Sequence, residues 1–250
     1  HAHGRAATTT TKPPTGPRQT ATPTVTDYRS TQALAVGIEI GKNALMSTQQ
    51  ALANARSFRR GTLDQAALLD MAKLCGAKDL VEMAEAMGDY DGDAFLVEGD
   101  LIVDGNFRTS DVEAIWLVVR GNVIVSGLYE DTCNDAPDFV WIGGNLQAGD
   151  VLTAGRLVVK GDVRVTNCLV GDYNDGRCDI TGNVDAKLFA MFDHTCRIKG
   201  ENRATYQVAD SRSDEIPAGQ TRWADLPFAA AFEPDDLKTR LRQHLPVLRH

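Results

Sequence analysis

Leu157-Val-Val-Lys-Gly161-Asp-Val163 decides the fold, because five other stretches repeat its pattern. They are Phe95-Leu-Val-Glu-Gly99-Asp-Leu101, Leu117-Val-Val-Arg-Gly121-Asn-Val123, Val140-Trp-Ile-Gly-Gly144-Asn-Leu146, Cys178-Asp-Ile-Thr-Gly182-Asn-Val184 and Cys196-Arg-Ile-Lys-Gly200-Glu-Asn202. Positions four before, two before and two after the glycine are apolar, with Asn202 as the exception. This period of two, rich in β-branched residues, marks half-buried strands. The glycines follow one another at 22, 23, 17, 21 and 18 residues, spacing suited to the coils of a β-solenoid rather than to hairpins.

Stacking explains the repetition. A single coil cannot bury its apolar edge, but coils about 4.8 Å apart pair their backbones and merge the valines into internal rows. A corner needs glycine either for positive φ or for close approach of backbones. Asp100, Asn122, Asn145, Asp162, Asn183 and Glu201 follow the glycines and form a corner ladder. An antiparallel sandwich has a similar rhythm, but no reason to repeat one residue class in register. In this scheme Val159 points inward, and Val158 points outward and tolerates aspartate unless it lies in a binding face.

Around this core the chain divides into four parts. Residues 1–30, rich in Thr and Pro, read as a disordered tail or linker. Residues 31–90 read as a helical cap: a helix from Asn43 to Ser57, a second opened by the capping box Thr62-Leu-Asp-Gln65, and a third from Asp79. Residues 91–205 are the solenoid, and 206–250 a C-terminal capping segment with a helix from Pro234 carrying Leu237, Leu241 and Leu245. The expected class is mainly β: a short, single-stack β-solenoid with an N-terminal α-helical cap and a C-terminal helix.

Composition narrows the function. A net charge of −8 argues against general nucleic-acid binding. No run of eighteen apolar residues could span a membrane. Five cysteines without a C-x-x-C pair suit a reducing compartment, so a cytoplasmic location is expected. Cys178 and Cys196 share one inward column and read as reduced packing residues; His194 lies nearby in sequence.

Three clusters could carry chemistry. Asp89, Asp91 and Asp93 alternate like the start of a calcium loop, but Ala94 stands where that loop needs glycine, so a solvated turn is the better reading. Asp193 beside His194 is raw material for general-base catalysis, or equally for a hydrogen-bonded corner. Tyr173, Asn174 and Asp175 sit one coil earlier and are candidates for binding. No cofactor is expected.

The runs Glu98-Gly-Asp-Leu-Ile-Val-Asp-Gly105, Arg120-Gly-Asn-Val-Ile-Val-Ser-Gly127 and Lys160-Gly-Asp-Val-Arg-Val165 resemble the repeats of bactofilins and other polymer-forming β-solenoid proteins. That resemblance implies a self-assembling scaffold, although bactofilin cores are more regular and their flanks are mostly disordered. Tyr173-Asn-Asp-Gly176 and Phe192-Asp-His194 resemble stretches of bacterial solenoid proteins found beside secreted toxins. The reading favoured here is a non-catalytic protein-binding solenoid, monomeric or a small oligomer. A toxin-neutralising partner with an acidic surface is one version. The alternatives are the scaffold and a carbohydrate-active enzyme.

Overall fold

The structure is a computed structural model that describes residues 52, 56–58, 73, 93–112, 114–131, 139–173, 176–208, 219–230 and 236–249. All of them belong to one compact unit, Ala44–His250. The expected tail at 1–30 lies outside the described residues, as does most of the helical cap. Within that cap Leu52 and Lys73 are helical, and Leu52 is buried in the solenoid core. The helix expected through Ser57 stops earlier, because Arg56–Phe58 is strand β1.

The chain winds as a three-faced parallel β-solenoid. On the first face lie β2 (Asp93–Val97), β5 (Ala114–Val119), β7 (Phe139–Ile142), β9 (Arg156–Val159), β12 (Arg177–Ile180) and β15 (Thr195–Ile198), paired in that order. On the second face lie β3 (Leu101–Val103), the first halves of β6 (Val123–Asp131) and β8 (Leu146–Thr153), then β10 (Val163–Val165) and β13 (Val184–Asp185). The third face holds β4 (Phe107–Arg108), the second halves of β6 and β8, β11 (Cys168–Asp172), β14 (Leu188–Phe192) and β16 (Tyr206–Val208). Strand β1 runs antiparallel on β2 and closes that edge of the first face.

The repeat columns are the inner rows. Leu117, Val140, Leu157 and Cys178 are fully buried in register, as are Val119, Ile142 and Val159. Each such side chain contributes about 1.5–3 kcal/mol of hydrophobic stabilisation.

The corner after the first face is invariant, and its glycines serve close approach rather than positive φ. A Cβ on Gly144 would lie 2.5 Å from Asn122 Oδ1 and 2.8 Å from the Gly121 carbonyl oxygen. Among described glycines only Gly105 and Gly219 have positive φ. The Asp/Asn column forms the expected ladder, each side-chain oxygen accepting from the next coil's backbone. The N–H groups of Asn122, Asn145, Asp162, Asn183 and Glu201 donate over 2.7–2.9 Å. Accepting from Asn183 holds the Asp162 carboxyl below the usual carboxylate range.

The irregular spacing arises at the corner from third face to first. Connections there run five, seven, two, four and two residues, tracking the glycine intervals. Among the described residues that corner has one side-chain rung, Asp131 Oδ1 accepting from the Ala154 and Gly155 N–H groups at 2.9 and 3.2 Å, in place of a ladder repeated in every coil.

Two sides of the stack differ from the sequence expectation. Val158 points away from the core cluster yet is only 3% exposed, so the expectation of tolerance is corrected. Its outer row, Leu96, Val118 and Trp141, is likewise buried. The C-terminal helix α1 (Leu237–Arg242) does not cap the open end. It lies along the outside of the third face, with Leu237 and Leu241 against Leu152, Cys168 and Val170. Charges fasten it: Arg242 bonds the buried Glu130 carboxylate at 2.6 Å, Arg108 holds that carboxylate at 3.1 Å, and Lys238 reaches Asp172 at 2.6 Å. Among the described residues no helix is long and apolar enough to cross a membrane.

Candidate functional site

The two residues of the expected acid–base pair sit in different surroundings. Asp193 is exposed and takes the left-handed region at φ 50°. His194 is 7% exposed and lodged against two glycines, with its Cδ2 2.7 Å from where a Cβ on Gly171 would stand. Neither ring nitrogen makes a hydrogen bond of full geometry among the described residues. Burial pushes the imidazole pKa down, with the Tyr173 backbone and the Asp172 carboxylate pulling partly back. Asp172, from the coil's preceding strand β11, is thus a carboxylate that bears on His194. This is a neutral, packed histidine at a corner.

Tyr173 is exposed on the connection after β11, while Asn174 and Asp175 lie outside the described residues. So do Asp89 and Asp91. Asp93 opens β2, where its backbone pairs with Ala114 beside a register shift. Among the described residues no three His, Cys, Asp or Glu side chains converge as a metal site.

A cleft of about 460 Å³ opens where the turn after α1 passes the corner between second and third faces. Asp150, Asn167, Lys187 and His244 line it beside Leu245 and Pro246. His244 sits at φ 56° one residue past the helix cap, a place usually held by glycine. The Leu245 N–H to Arg240 and His244 N–H to Leu241 bonds, 2.9 and 3.1 Å, complete a Schellman turn. Asn106 fixes the imidazole. Its Oδ1 accepts from the Leu128 N–H at 3.0 Å, so its amide nitrogen donates to His244 Nε2 at 2.9 Å. This network assigns the His244 proton to Nδ1. Burial raises the Asp150 pKa, opposed by the Cys168 N–H that it accepts at 3.0 Å. Burial and Asp150 together push the Cys168 thiol up, which leaves it a poor nucleophile.

The other feature is the far end of the first face. There β15 pairs with β12, and no further strand follows it among the described residues. The Lys199 N–H donates back to Ile180 at 2.9 Å. Alternation along a parallel strand then turns the N–H and C=O groups of Cys196 and Ile198 toward the open side. Cys196 and Ile198, with Phe189 and Met191 one face away, are core residues only partly covered. On the outward side, Arg197 of β15 and Lys199 just past its end are exposed.

Sequence reasoning missed this edge, although a signal was present. Outer positions of the first face read Leu96, Val118, Trp141 and Val158, then change to Asp179 and Arg197. Continuous apolar runs mark strands covered on both sides, and the return of charge marks where cover ends. Comparison with protein-family models, with curated proteins and with solved structures finds no match for this chain.

Proposed function

We propose that the protein is a non-catalytic, protein-binding β-solenoid that takes a segment of its partner onto the edge of β15. The observation that carries this reading is the asymmetry of the first face. Among the described residues, one edge is closed by the antiparallel β1, and the other carries no further strand and presents main-chain donors and acceptors beside half-covered Cys196 and Ile198. Such an edge templates strand addition, in which main-chain hydrogen bonds supply affinity and alternate side chains supply specificity. The same asymmetry counts against a bactofilin-like filament, since head-to-tail stacking needs a free parallel edge at both ends. It fits a monomer or small oligomer. Neutralising a toxin remains compatible with it, but the edge is locally basic, so the contact would not rest on the chain's acidic net charge. His194 and Cys168, the best-placed base and nucleophile, are held in unreactive states, which supports binding over catalysis.

The test compares wild type with Ile198→Pro, which removes one outward amide while sparing the bonds to β12. With folding checked by circular dichroism, both are used to capture proteins from native-host lysate. A protein held by wild type and lost by the variant supports the reading. Identical capture, or none, contradicts it.

A further inference from the structure

The chemistry of β15 also specifies its partner. We infer that the occupant is an extended segment in which apolar and acidic residues alternate. This rests on the protein-binding reading above and adds the partner's class.

The register carries the argument. Inner positions run Cys178 to Cys196 and Ile180 to Ile198, so the next strand must place apolar side chains there to cover Cys196 and Ile198. Outer positions run Asp179 to Arg197, already an alternation of charge across the stack. Asp179 is held by Arg177 at 2.6 Å, which leaves Arg197 to face outward at the edge with Lys199 two residues on. Directly opposed side chains on neighbouring strands interact, favourably when opposite in charge and unfavourably when alike. An incoming strand therefore gains from acids opposite Arg197 and Lys199 and from apolar residues between them. The alternation is the same whichever direction the strand runs. A second copy of this chain is the wrong occupant, because pairing β15 with itself brings Arg197 and Lys199 near their own copies. Polymerisation through this end meets the same repulsion.

The experiment measures binding of two fluorescein-labelled peptides to the full chain by fluorescence anisotropy at low salt. One peptide alternates valine with glutamate over seven residues, and the other replaces each glutamate with lysine. The glutamate peptide should bind roughly tenfold more tightly or better. The double variant Arg197→Glu/Lys199→Glu, altered only at exposed positions, should reverse that order. Equal binding of both peptides, or binding of neither, overturns the inference. If edge-dependent capture from lysate persists in that case, only the partner's chemistry falls and the binding reading stands. Light scattering supplies the remaining arm: a dimer abolished by Ile198→Pro would make a second copy the occupant and would equally overturn the acidic strand.

Discussion

Alanine at two corner glycines separates the two reasons a glycine can be required. At Gly144 a Cβ would meet Asn122 Oδ1 at 2.5 Å and the Gly121 carbonyl oxygen at 2.8 Å, against ordinary contact from 3.4 Å. The coils must part there by up to 0.9 Å, the difference between 3.4 and 2.5. That movement stretches two bonds now at 2.8 Å, Gly144 N–H to Gly121 and Asn145 N–H to Asn122 Oδ1, toward the limit of hydrogen bonding. Two lost bonds at about 1 kcal/mol each, with overpacking of about 1–3 kcal/mol, place Gly144→Ala near 3–5 kcal/mol. Gly99 belongs to the same column in the first coil, lacks positive φ, and has nothing within 4 Å of where a Cβ would stand. Gly99→Ala should be neutral or stabilise by up to about 1 kcal/mol through the unfolded chain. Urea unfolding followed by circular dichroism gives both values. Equal losses at the two sites, or no loss at Gly144, would refute close approach as the reason for the glycine column.

Four further outcomes follow. Val158→Asp should cost roughly 3 kcal/mol or prevent folding, whereas Arg197→Thr, in the same row at the exposed end, should stay within about 0.5 kcal/mol in urea titrations. Because burial holds the His194 pKa below 6.5, its contribution is complete above that pH and is lost as pH falls through the folded value; unfolding midpoints of His194→Asn should fall less than wild type between pH 7 and 5. Glu130→Ala strips the anchor shared by Arg108 and Arg242 and should cost about 2 kcal/mol, with faster amide exchange in α1 than in β8. Cys178 and Cys196 pair in register as free thiols, with the Cys178 pKa pushed up by its bond to Cys196 and by burial; changing both to valine should alter stability by no more than about 2 kcal/mol.

Much of the fold was legible because stacking forces equivalent positions to obey the same rule. Val97, Val119 and Ile142 share one environment, and Asp100, Asn122 and Asn145 share one hydrogen-bonding task. What lies across the stack was harder to read. Nothing in Leu237 and Leu241 says whether a helix covers an end or a side, and both bury the same stripe; Leu245, expected in that stripe, lies past the helix and is exposed because the turn at His244 ends it. The side was encoded elsewhere, in Val151-Leu152 and Cys168-Leu-Val170, whose unbroken apolar character demands cover on both faces. A second glycine column, Gly105, Gly127 and Gly149, likewise marked the corner beside the cleft. Asp193 and His194 were legible as a corner, but their unequal exposure depends on the local backbone, which the sequence does not spell out. The site at β15 was hidden because an edge is a property of where the repeat stops.

Amide hydrogen exchange resolved at single residues tests the open edge most directly. In the isolated chain the Cys196 and Ile198 amides should exchange rapidly, while Cys178 and Ile180, their partners one coil inside, stay protected along with Arg197 and Lys199. Adding the alternating glutamate peptide should slow Cys196 and Ile198 and leave the others unchanged. Protection of Cys196 and Ile198 equal to that of Cys178 and Ile180 before any peptide is added would contradict the account, because the edge would then already be filled.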